Sequence, residues 1–222
     1  MKHVLVISAG LIHPTIKARL YLSSLLFELP DYTYHFTTDV EDLCLLTPGR
    51  YSSVILFLQQ SRISKSALKS LEMFITKGGG LLALHHASSC FEKHPVYRDI
   101  IGGRSISKEA VKPFSVEPRS ARYQIFSSPK RFVIQDAQLI HEINNEAEIH
   151  YETNFTDIIS PVVWSNKYFL GKVVYCSLGH CATVLKNISV NRIIKESLDW
   201  TCSQLPEKRE NSSISNSLVN PV

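Results

Sequence analysis

GGGLLALHHASSCF, residues Gly78 to Phe91, is the stretch from which the fold of this 222-residue chain can be worked out. Glycines run straight into the apolar LLAL, two adjacent histidines end that run, and small residues follow. Glycine tolerates the left-handed backbone that terminates helices, so Gly78 to Gly80 predict the close of one helix and the immediate start of a strand. Upstream, Ile63, Ala67, Leu71, Phe74 and Ile75 recur on one helical face, placing that helix over Ile63 to Lys77. Before it, SVILFL (Ser53 to Leu58) is a continuous apolar run. Two wholly apolar strands joined through a helix are expected to be parallel and covered by helices.

The same pattern extends towards the N-terminus. HVLVIS (His3 to Ser8) is a short β-branched strand ended by Ala9-Gly10. Thr15 to Leu29 carries Ile16, Leu20, Leu22, Leu25, Leu26 and Phe27 at helical spacing and stops at Pro30. YTYHFTT (Tyr32 to Thr38) alternates as a strand does. Beyond the elbow, FSV, RFVI and EIHYETN within Phe114 to Asn154 look like strands whose order cannot be read. Val173 to Leu178 (VVYCSL) is a late strand, and Val190 to Gln204 is a closing helix. The expectation is an α/β, doubly wound, mainly parallel sheet in one domain over residues 1–205. Residues 206–222, polar and rich in Ser and Asn, are expected to form a disordered tail.

Composition narrows the function classes. Lys and Arg exceed Asp and Glu by 24 − 20 = 4, with no basic block, so nucleic-acid binding is not implied. No stretch reaches the ~18 apolar residues of a membrane span, and the N-terminus lacks a signal-type apolar run. A soluble, cytoplasmic protein is expected, and a homo-oligomer is compatible with it. Five cysteines, odd in number and without a CxxC pair, argue against a disulfide framework or a cysteine-built zinc site.

In an open parallel sheet, ligands bind beyond the carboxyl ends of the strands. Three histidines lie at such ends: His13 after the first strand, His85 after the glycine-led strand, and His180 after VVYCSLG. His85, with Ala83 and Ala87 two residues to either side, sits where a nucleophile elbow presents its central side chain. Neutral imidazoles suit two chemistries, a divalent metal such as zinc or general acid-base work near neutral pH, and spacing leaves both open. Adjacent strand residues point opposite ways, so His86 is expected to turn away and pack or cap the elbow if the strand persists there. Cys90 is out of register for a nucleophile. His3, His35, His94, His141 and His150 are ordinary surface or core residues on positional grounds. Among Asp136, Glu142, Glu146, Glu148 and Glu152, one could serve as a further ligand or acid-base partner. Trp164 is a core residue or a sugar-stacking platform.

These residues together resemble the ThuA-like family, the trehalose-utilisation proteins that share the class I glutamine amidotransferase-like, flavodoxin-like fold. AGLIHPTI (Ala9 to Ile16) is similar to the family's opening histidine segment and GGGLLALHHA to its glycine-rich elbow. VYRDIIGGR (Val96 to Arg104) is similar to the tyrosine and paired glycines that follow. PVVW (Pro161 to Trp164), GKVVYCSLGH (Gly171 to His180) and SLDW (Ser197 to Trp200) resemble the late strands and terminal helix. The resemblance implies a carbohydrate link, with Tyr97, Trp164 and His13 on the substrate, and His85 and His180 as catalytic residues. The metal set would be His13, His85 and His180. Relatives often carry a histidine where this chain reads SISKE with Lys108, and an Asp-Glu pair where it reads Asp136-Ala137. The expected activity is hydrolysis or isomerisation of a keto-sugar or disaccharide, not glutamine amidotransfer. The rival is a non-catalytic module that binds a sugar or a protein.

Overall fold

The computed structural model describes residues 1–10, 14–155 and 158–203. His13 and the segment 206–222 lie outside the described residues. In chain order the elements are β1 (Lys2–Ile7), α1 (Ile16–Phe27), β2 (Tyr32–Thr37), β3 (Ser53–Leu56), α2 (Lys65–Thr76), β4 (Gly80–Leu84), α3 (Pro95–Ile101), β5 (Gly103–Pro118), β6 (Phe132–Ile143), β7 (Glu148–Phe155), β8 (Ile158–Tyr168), β9 (Gly171–Cys176), α4 (Ala182–Leu185) and α5 (Ile188–Thr201). Two 3₁₀ turns, Val40–Leu45 and His85–Ser89, complete the set.

One nine-stranded sheet runs in the order β2-β1-β3-β4-β9-β8-β7-β5-β6. The first five strands in that order are mutually parallel, and every later pairing is antiparallel. Chain order reverses between β1 and β3, the switch point beyond whose carboxyl ends doubly wound sheets open a crevice. Every residue of β3, β4 and β9 is buried, as continuous apolar strands covered on both faces must be. One apolar layer packs α1, α4 and α5 on one face of the sheet. The other layer packs α2 and α3 on the opposite face.

The glycines before β4 do different jobs. Gly78 takes φ +101°, and the N–H groups of Gly78 and Gly79 bond the carbonyls of Ile75 and Phe74, closing α2 with a left-handed cap. Gly80 is needed for closeness instead, since a Cβ there would lie 2.3 Å from the carbonyl oxygen of Thr201 on α5.

One expectation changes. In α1 the apolar spacing pooled two faces: Ala18, Leu22, Leu25 and Leu26 are buried, whereas Ile16, Leu20 and Phe27 are exposed. The middle segments are strands as expected, FSV and the FVI of RFVI falling in strands longer than those runs. β5, of 16 residues, pairs with β6 along its length and meets β7 only at Glu117 and Pro118. This long ribbon lets β5 reach the 3₁₀ turn after β4, and Asp136 to His141 of β6 are all buried.

Candidate functional site

β4 ends at Leu84, and the chain turns sharply at His85, whose φ of +51° lies in the left-handed region that L side chains rarely occupy. Such strain persists only where the surroundings hold it, and it clusters at functional sites. His85 is 1% exposed, and its Nδ1 lies 2.6 Å from the carbonyl oxygen of Ser177 at the end of the neighbouring β9. A carbonyl only accepts, so Nδ1 carries the hydrogen and Nε2 is a bare lone pair. Among the described residues that buried Nε2 has no hydrogen-bond partner. Burial, then the neighbouring His86, holds the His85 pKa well below the ordinary histidine value despite the opposing Ser177 bond, with smaller contributions from His180 and Lys108. The ring is neutral at physiological pH.

The strand does not persist to His86, so the expected alternation of the two rings does not apply. Both lie in the 3₁₀ turn, their rings edge to face at 4.1 Å, and His86 packs the elbow from the inside.

The second histidine arrives on the loop after β9. The His180 ring lies 5.5 Å from that of His85, centroid to centroid, so the structure brings this pair together. Gly179, at φ +130°, lets the loop approach: a Cβ there would stand 3.3 Å from Leu185 and 3.9 Å from the His85 Cβ. The loop is held by Asp136 of β6. Its Oδ2 accepts the Gly179 N–H at 3.0 Å, its Oδ1 accepts the Ala137 N–H at 2.8 Å, and the His180 backbone N–H also points to it. Burial pushes the Asp136 carboxyl up to about 6, against these N–H donors and the charge of Lys108. Asp136 therefore positions His180 rather than presenting free oxygens to a ligand.

His141, an ordinary residue on positional grounds, is part of a second buried cluster. The Ser88 hydroxyl donates to Tyr175 at 2.9 Å, His141 Nε2 lies 3.3 Å from Ser88 and 3.1 Å from the Tyr175 oxygen, and Tyr175 in turn donates to the His85 carbonyl at 2.5 Å. Nothing local in β6 signals this, because its partners come from the turn after β4 and from β9. Ser88 also borders a cavity of about 430 Å³, whose walls include Phe91, His94, Tyr97, Arg98 and Arg104.

The two substrate residues expected from the sequence are placed otherwise. Trp164 is fully buried, its ring 4.2 Å from that of Tyr175 and its Nε1–H donating to the Ile101 carbonyl, so no face is open to a sugar. Tyr97 is 2% exposed and donates its hydroxyl to the Ala87 carbonyl at 2.9 Å; it braces the elbow turn and gives only ring surface to the cavity wall. Cys90 is buried, bonded to the carbonyls of Leu58 and His86, and burial pushes its thiol up to about 12, which removes it as a nucleophile at neutral pH.

A model of the trehalose-utilisation family, ThuA, matches residues 3–201. The chain belongs to the ThuA family. A ThuA-like protein from Bacteroides uniformis has a similar structure at 18% identity, with a TM-score of 0.74 over 90% of this chain and 91% of that one. Another, from Parabacteroides merdae, matches at 14% identity with a TM-score of 0.76, over 93% and 92%. A β-galactosidase from Bacillus circulans matches at 13% identity with a TM-score of 0.62, over 91% of this chain but 31% of the enzyme. These likenesses establish the fold. No curated protein sequence matches the chain significantly.

Among the described residues, no three His, Cys, Asp or Glu side chains come together in a way that could hold a metal ion. His85 Nε2 is a competent donor atom, but the Asp136 oxygens are taken by backbone N–H groups and His13 lies outside the described residues. The donors among the described residues do not amount to a metal site. No helix among the described residues is long and apolar enough to cross a membrane.

Proposed function

We propose that this ThuA-family protein is an enzyme acting on a carbohydrate derivative that carries a keto group, with His85 and His180 as a proton-transfer pair. The observation that carries this is the buried lone pair of His85 Nε2, held in a strained elbow, fixed in tautomer by Ser177, and set beside His180. A bare acceptor of this kind costs free energy unless a ligand hydroxyl or acidified C–H meets it. In an isomerisation, His85 Nε2 takes the proton from the carbon next to the keto group. The C–H electron pair forms the C=C bond of the enediol as His180 gives a proton to the carbonyl oxygen; the enediol then takes the proton back from His85 at the former carbonyl carbon and loses its other hydroxyl proton to His180. Hydrolysis of a keto-glycoside begins with the same abstraction; the C–H electron pair then expels the glycosidic oxygen, which takes a proton from His180, and water adds across the double bond formed. Asp136 keeps His180 in place. The family's name and the carbohydrate enzymes among its fold relatives support the sugar class.

Incubation of a keto-disaccharide panel in D₂O, followed by proton NMR, tests this. Deuterium uptake next to the carbonyl is expected, falling roughly 10³-fold in His85→Asn, a side chain that tolerates the left-handed backbone. Binding of the same sugars without exchange or turnover would overturn catalysis and leave the binding module, which the replacement of the family histidine by Lys108 favours. Equal exchange by the wild type and His85→Asn would remove His85 from the chemistry.

A further inference from the structure

The outer face of α1 is built like a contact surface although its inner face already packs on the sheet. Ile16 is 72% exposed, Leu20 67% and Phe27 70%. At about 100° per residue these three and Ser23 fall in one narrow stripe, at positions i, i+4, i+7 and i+11. The polar groups near the stripe are tied off inside the chain. Ser23 returns its hydroxyl to the Arg19 carbonyl at 3.0 Å, while the Arg19 guanidinium donates to the carbonyls of Pro14 and Gly10. Phe27 continues the apolar surface onto the sheet edge, its ring 5.5 Å from Phe36 and 6.0 Å from Tyr34 of β2.

We infer that this face pairs with the same face of a second copy of this chain, the two α1 helices lying antiparallel across a two-fold axis. The stripe is self-complementary in that arrangement. Leu20 of each copy meets the small Ser23 of the other, and Ile16 meets Phe27. Charge points the same way. Lys17 stands in the first turn and Glu28 caps the C-terminus, the reverse of what the helix dipole favours. On the helical wheel both flank the stripe on the same side, so the antiparallel partner sets Lys17 of each copy beside Glu28 of the other. The three apolar side chains alone supply roughly 400 Å², about half of the ~800 Å² per partner of a standard interface, and the aromatic edge of β2 extends it.

Sedimentation velocity on the full chain over a wide concentration range is the test. A dimer is expected, with Leu20→Glu raising its dissociation constant roughly 100-fold or more while the melting temperature stays near wild type. Lys17→Glu and Glu28→Lys are each expected to weaken it several-fold, and the double swap to recover most of the loss. The Glu28 contact with Lys195 within the chain is an exposed pair and contributes little either way. A chain that is monomeric throughout, a dimer indifferent to Leu20→Glu, or a double swap no better than the single changes would each overturn the proposal.

Discussion

The parallel half of the sheet presents His85 and His180 from the loops at its strand ends, whereas the antiparallel half presents Asp136 and His141 from within one strand, β6. In the first half, placement follows from a general rule of open α/β sheets: strands stop, and their carboxyl ends face a crevice. In the second it follows from a particular packing, in which the β5–β6 ribbon lies against the elbow turn and β6 reaches the loop after β9. The candidate site is thus a seam between a framework set by close packing and a wall set by a ribbon. Changes in the framework are expected to cost stability, and changes in the ribbon to act through protons.

The largest effect should come from Gly80→Ala. Its Cβ would lie 2.3 Å from the Thr201 carbonyl oxygen and 2.8 Å from Ser53 Oγ, and the nearer atom is backbone that cannot step aside cheaply. A loss of about 3 kcal/mol or more is expected from urea unfolding. A change below about 0.5 kcal/mol would show that the parallel half is not the rigid partner.

The antiparallel half should add to the acid sensitivity that buried His85 contributes. His150 of β7 is 3% exposed, bonds Ser165 Oγ through Nε2 at 2.8 Å, and is held down to about 4 by burial; His141 is held down to about 3 for the same reason. The unfolded chain takes up these protons near pH 6.5 and the folded chain does not. Stability present above pH 6.5 is therefore lost as pH falls towards 4, by roughly 3 kcal/mol for His150 alone. His150→Gln, which keeps a partner for Ser165, should flatten the pH dependence of unfolding between pH 7 and 5. An unchanged slope would remove His150 as a source.

Asp136→Asn should act more gently and in the opposite pH sense. The folded-state pKa, about 6, is raised above the ordinary carboxyl value, so the group's favourable contribution is complete below pH 4 and is lost as pH rises through 6. At pH 7 the amide should leave stability equal or slightly higher. It keeps one oxygen for the Gly179–His180 loop and loses the other, so turnover should drop about tenfold, and an acid limb near pH 6 expected in the wild-type rate profile from the Asp136 carboxyl should vanish. An acid limb that survives in Asp136→Asn would assign it to another group. The smallest effect is expected at Val133 on the outer side of β6, 62% exposed, where Val133→Thr should change unfolding free energy by less than about 0.5 kcal/mol. A larger loss would mean that the ribbon is as tightly packed as the framework.

Much of the framework is legible in the order of residues. The continuous apolar runs of β1, β3, β4 and β9 identify strands buried on both faces, and Gly78 marks the stop of α2 by the backbone only glycine adopts easily. His85 and His180 are found because position at a strand end is written in the chain. His141 is not, since its partners Ser88 and Tyr175 lie 53 and 34 residues away, on other elements. Trp164 could be a sugar platform or a core residue until Tyr175 packs on its ring. The α1 face misled because an apolar residue signals burial against something without saying what.

What the sequence determined by itself is local: where strands and helices begin and end, which strands are covered on both faces, and that histidines stand at strand ends. Periodicity, turn residues and apolar content act over a few residues, so they can be read in order. What only the tertiary structure decided is which distant groups share a proton or a surface. The tautomer of His85 depends on a carbonyl 92 residues away, and the place of His180 on a carboxylate 43 residues before the loop that carries it. Those distances close only when the core excludes water around them, and a buried acceptor such as His85 Nε2 is then met only by a group from outside the chain, water included.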